Sequence, residues 1–95
     1  MITYKFHTKF EEDGFYWNLN KCMIFFKEAD QEKKDKIIKS SIRSFQLGVL
    51  NHRNGKTDFI KKLNYDYQMI YSCLNAIYDE KLYEFSEEEL SWFRD

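Results

Sequence analysis

The apolar residues of this chain change their spacing at Asp30, and that change constrains the fold more than any other feature. Before it, in "ITYKFHTKF" (2–10), Ile2, Tyr4, Phe6, Thr8 and Phe10 alternate with Thr3, Lys5, His7 and Lys9. Alternation of aromatic and β-branched residues with polar ones predicts a half-buried strand. "EEDG" (11–14) reads as a short turn, and "FYWNLN" (15–20) alternates again through Phe15, Trp17 and Leu19. The spacing therefore predicts a β-hairpin over about 2–20. "KCMIFFKEA" (21–29) fits either an extension of the second strand or a short helix.

After Asp30 the period becomes helical. Ile38, Ile42, Phe45 and Val49 recur at helical intervals behind an N-cap candidate, Asp30, with acids in the first turn. A helix from about 31 to 52 is expected, with Gly55 as its stop. Gly48 inside it costs about 1 kcal/mol relative to alanine; close approach of another backbone would account for that cost. A second helix, about 57–83, opens on Thr57 and carries Phe59, Leu63, Ile70, Leu74 and Ile77 as its core stripe, flanked by Ile60 and Tyr67. A third, about 86–94, opens on Ser86 with Glu89 three residues later, the pattern of a capping box. The expected fold is α+β: an N-terminal β-hairpin packed on a bundle of about three helices, in a single domain spanning 1–95.

The chain has nine Phe, seven Tyr and two Trp among its 95 residues. A domain of this size struggles to enclose so much aromatic surface, so part of it belongs at the surface or in an interface. The longest apolar run is "CMIFF" (22–26), far short of a membrane span, and "MITYKFHTKF" has no apolar stretch like that of a signal peptide. A cytoplasmic protein is expected, with no membrane association. Cys22 and Cys73 stand 51 positions apart with no CxxC pattern, which predicts two buried free thiols in a reducing compartment. His7 and His52 have no Cys, Asp or Glu at metal-ligand spacing, and the three glycines form no phosphate loop. No catalytic residue, metal or cofactor is expected. Richness in Phe, Tyr, Ile, Asn and Lys, with few Gly, Ala, Arg and Pro, follows AT-rich codons and points to a low-GC bacterium or its phages and plasmids.

Charge is polarised along the chain. Residues 30–62 carry nine basic and four acidic groups, net +5, and residues 63–95 carry two basic and eight acidic, net −6. Lys36, Lys39 and Arg43 form a stripe opposite the apolar face of their helix, and Arg53 and Lys56 follow, so segment 33–56 offers a phosphate-contacting surface. Against that reading, Glu32 and Asp35 stand four residues before Lys36 and Lys39, placed to neutralise part of the stripe. The helix over 57–83 has a second apolar line, Tyr65, Met69, Ala76 and Tyr83, with Cys73 at its edge. A helix apolar on two sides is either sandwiched inside its domain or offers one side to a partner. Trp92 is expected at the edge of the last helix, with Glu87 and Glu88 as an acidic rim.

The functional expectation is a small intracellular, non-enzymatic protein that binds another protein, one with a basic surface. Tyr65, Met69, Tyr83, Trp92, Glu87 and Glu88 would form the contact. An inhibitor, immunity or modulator protein of a phage or plasmid fits this description. The alternatives are a nucleic-acid-binding protein using 33–56, and a homo-oligomeric structural protein such as a homodimer.

Overall fold

The computed structural model describes residues 3–94, so the expectation for Ile2 lies outside it. Among the described residues there are five helices and no strand: α1 (Lys9–Glu28), α2 (Gln31–Asn51), α3 (Lys56–Lys61), α4 (Tyr65–Asp79) and α5 (Glu87–Phe93). The fold is all-α, which corrects the expected α+β class and its N-terminal hairpin.

Thr8 decides the matter for the N-terminal third. Its Oγ1 accepts from the Glu11 backbone N–H at 3.0 Å, and the Glu11 side chain in turn accepts from the His7 N–H at 3.1 Å. This reciprocal bonding is that of a capping box shifted by one residue, and Glu11 and Glu12 lie at the positive end of the helix. From there Phe15, Leu19, Met23 and Phe26 follow at spacings of four, four and three, one face of a helix. Phe15, Met23 and Phe26 are buried. Phe10, expected on the inner face of a strand, is 88% exposed. Segment 21–29, ambiguous in the sequence, continues the helix to Glu28, and Asp30 then caps α2 by accepting from the Lys33 N–H at 2.8 Å.

α2 matches its expected span within a residue, with Ile38, Ile42, Phe45 and Val49 all buried. The helix expected over 57–83 is instead two. Gly55, with φ 90°, turns the chain into α3; Leu63 is buried in the break, and Asn64 starts α4 by accepting from the Tyr67 N–H at 3.0 Å. A capping side chain offers its backbone an alternative to helix continuation, and here it wins. α4 ends in a Schellman motif: Lys81 takes the left-handed conformation (φ 56°), its N–H bonds Tyr78 O, and the Leu82 N–H bonds Ile77 O. Ser86 and Glu89 form the capping box expected of α5, with bonds of 3.1 and 2.8 Å.

α4 is the central element, in contact with α1, α2 and α5, while α3 packs on α2. One group of buried residues joins Met23 and Phe26 of α1, Ile38 and Ile42 of α2, Leu74 and Ile77 of α4, and Phe93. A second joins Phe45, Val49, Phe59 and Leu63. Gly48 lies where Phe59 and Tyr67 press on α2: a Cβ there would meet Phe59 Cζ at 2.6 Å and Tyr67 Cζ at 2.8 Å. Aromatic rings, rather than another backbone, require this glycine. Segment 3–8 is tied down by Gln68, whose wholly buried Oε1 accepts from Thr3 N (2.8 Å), Thr3 Oγ1 (2.8 Å) and Tyr4 N (3.1 Å). At the other end, Arg94 bonds Asn75 at 3.0 Å and pairs with Asp79 at 3.2 Å, which docks the tail.

The described body measures 35 × 31 × 19 Å. Its short dimension is about two helix diameters, so helices have solvent faces as well as core faces.

Candidate interaction surface

α1 is apolar on opposite sides. At about 100° per residue, Phe10, Trp17 and Ile24 fall within about 40° of one another and roughly opposite Phe15, Leu19, Met23 and Phe26. The inner four face the core. The outer three are exposed, Trp17 and Ile24 by more than half. They form a stripe about 21 Å long at 1.5 Å per residue. Lys21 lies in the same line and holds its ammonium 3.9 Å from the Trp17 ring centroid, covering the indole with a cation. Phe25, 58% exposed, borders the stripe, and Lys33 of α2 stands 5.8 Å from its ring.

Beside Lys21 and Phe25 the surface falls into an apolar groove of about 400 Å³ between α1, α2 and α4. Cys22, Met69, Ile70, Cys73 and Ile37 are among its lining residues. The stripe and the groove share Lys21 and Phe25, so they form one continuous surface. The two thiols, expected to be buried and free, both line this groove: Cys22 is exposed and Cys73 half-buried. Burial first, and then the Cys22 thiol beside it, push the Cys73 thiol up to about 12.

The residues singled out in the sequence are dispersed. Tyr65 is half-buried, its ring edge-on to Tyr4 (5.8 Å) and Phe15 (5.4 Å), and Met69 lines the groove. Tyr83 donates its hydroxyl to Asp35 at 2.9 Å; burial and that carboxylate push the phenol up to about 12. Trp92 is half-buried against both groups of core residues, with Lys56 5.7 Å from its ring. Glu87 and Glu88 are exposed on the first turn of α5. Lys36, Lys39 and Arg43 are exposed along α2, Lys36 pairing with Glu32 at 3.6 Å, while Asp35 accepts from Tyr83 and Gln31. Arg53 is exposed in the turn before α3, at the far end of α2 from Lys36.

Phe10 and Trp17 were expected in the hairpin, and neither they nor Ile24 and Phe25 were expected in a contact surface. The signal that finds the stripe is the seven-residue interval of Phe10, Trp17 and Ile24, which on a helix marks one line.

Among the described residues no group of three or more His, Cys, Asp or Glu side chains is placed to hold a metal ion, and no helix is long and apolar enough to cross a membrane. Compared with protein-family models, with curated proteins and with solved structures, the chain matches none.

Proposed function

We propose that this protein acts in the cytoplasm by binding another protein, without catalysis of its own, and that the outer face of α1 with its adjoining groove is the contact. The observation that carries this reading is the stripe of Phe10, Trp17 and Ile24 set opposite the core face of the same helix. Exposed apolar side chains scattered singly need no explanation, but large ones aligned on one helix face beside an apolar groove mark an association surface. Trp is the residue type most enriched among energetic anchors, and the groove gives a partner's apolar side chain a place to insert. An amphipathic helix laid along α1 would use both features. Lys21 and Lys33 at the rim favour acids beside the partner's apolar residues.

The test compares the parent with a Trp17→Glu/Ile24→Glu double variant. Each is used as bait in a nuclease-treated lysate and weighed alone by light scattering. The parent should retain a defined protein that the double variant does not. Both should melt within about 8 °C of each other, since surface substitutions change stability by only about 0.5 kcal/mol each. Retention of the same protein by both baits, or unfolding of the variant, would refute the assignment of this surface.

A further inference from the structure

Cys22 and Cys73 stand on two walls of the apolar groove, one on α1 and the other on α4. The contact between these two helices is the most extensive of any helix pair in the fold. At this point in their packing the thiols are close enough to interact, which contributes to the raised value at Cys73. Their exposures differ in a useful way: Cys22 is open to solvent and Cys73 half-buried behind it.

We infer that Cys22 and Cys73 form a paired redox site, converted by a low-molecular-weight disulfide into an intramolecular cystine that staples α1 to α4 across the groove. The exposed Cys22 reacts first. Its thiolate attacks one sulfur of the small disulfide RSSR, the S–S bond of RSSR breaks, and RS⁻ leaves and takes up a proton as RSH. The product is a mixed disulfide, Cys22–S–S–R. Cys73 then loses its proton to solvent, and its thiolate attacks the Cys22 sulfur and expels the second RS⁻, which is protonated in turn. Two protein thiols are oxidised to one disulfide and RSSR is reduced to two RSH, a balanced two-electron exchange.

The groove favours the closed product. Its walls near the pair include Met23, Ile70 and Leu74. A thiolate is costly in such surroundings, whereas a disulfide carries no charge to desolvate. Two thiols that line one groove from directly packed helices can use side-chain rotation to approach disulfide geometry. The same surroundings make the second step the slow one, because little of Cys73 is thiolate near neutral pH. A mixed disulfide at Cys22 is therefore a transient that accumulates before closure.

The experiment uses the full-length reduced protein and oxidised glutathione as RSSR, with remaining thiols blocked before intact-mass measurement. The parent should pass through a glutathionyl adduct to a monomer lighter than the reduced chain by two hydrogens. Digestion should yield a peptide pair joined through Cys22 and Cys73, released by reductant. Cys73→Ser should stop at the glutathionyl adduct of Cys22, and Cys22→Ser should react at least tenfold more slowly than Cys73→Ser. A parent that ends as a stable adduct, or as a disulfide-linked dimer without the joined peptides, overturns the inference. So does equal reactivity of the two single variants.

Discussion

Replacing Gln68 with leucine removes the acceptor that holds the N-terminal segment. The side chain is wholly buried, and three donors of Thr3 and Tyr4 converge on its Oε1. Its amide also donates to Ser72 Oγ at 2.9 Å. Leucine keeps the approximate bulk and offers no acceptor. Each lost bond costs a net of about 0.5–1.5 kcal/mol. The full penalty of stranded buried donors is not reached, because Thr3 and Tyr4 sit at a chain end that can swing out to water. Burying leucine in place of an amide returns part of the loss, which leaves about 2 kcal/mol. At about 4–8 °C per kcal/mol for a domain of this size, Gln68→Leu should melt roughly 8–16 °C below the parent. Release of the segment also unseats Phe6 from Phe15, whose rings lie 5.2 Å apart. The Tyr4 amide, protected in the parent, should then exchange at the rate of an unstructured chain. Circular dichroism melts and amide exchange by NMR measure the two effects. A variant that melts within about 3 °C of the parent, with the Tyr4 amide still protected, would show that Gln68 fills space and holds nothing.

Two further perturbations test the core and its electrostatics. Gly48→Ala should destabilise the fold by about 1–2 kcal/mol in chemical denaturation, since overpacking against Phe59 and Tyr67 outweighs the gain of about 1 kcal/mol in helix propensity; a more stable variant would mean those rings yield freely. Tyr83→Phe should be less stable than the parent at neutral pH, and that gap should close as pH rises from about 10 to about 12. The sign follows from the raised phenol: the folded state holds its proton more tightly than the unfolded chain, a contribution complete below about pH 10 and lost on ionisation. Denaturation midpoints of both proteins across that range measure the gap, and a constant gap would refute the role given to the Tyr83–Asp35 bond.

What could be read in the sequence was decided by how many faces each helix buries. α2 buries one face, so Ile38, Ile42, Phe45 and Val49 stood out at a clean helical interval. α5 was marked by Ser86 and Glu89, a signal that depends only on local bonding. α1 carries an inner line through Phe15, Leu19, Met23 and Phe26 and an outer one through Phe10, Trp17 and Ile24. Superposed, the two lines break the helical period and leave neighbouring pairs such as Phe15 and Trp17 that imitate a strand. With 19% of the chain aromatic, such coincidences arise readily, and Thr8 with Glu11 was the competing signal of a helix start. The candidate site inherited this error. Tyr65 and Met69 were recognised as a second apolar side of their helix, but the helix that lies against them had been assigned as strand. The break at Leu63 was hidden because its apolar interval runs on through it, while Asn64 acts through a hydrogen bond that leaves no trace in hydrophobic spacing.

The two groups of buried residues touch only through partly buried ones, with Ile70, Tyr71 and Trp92 packed against both. A boundary of this kind divides a small protein into units that open at different free energies. The unit around Phe45, Val49, Phe59 and Leu63 has the smaller buried core and is closed by the short helix α3. By that rule it is expected to open at a lower free energy than the larger group, which amide exchange would read at Phe59 and Leu63. Trp92 spans the seam, so its indole changes surroundings in that opening as well as in complete unfolding. Opening at the α3 end would reach the start of α1 through Thr3, which bonds Ile60 O at 3.2 Å, and through Phe15 on Tyr65, while Met23 and Phe26 hold the other end of α1 in the larger unit.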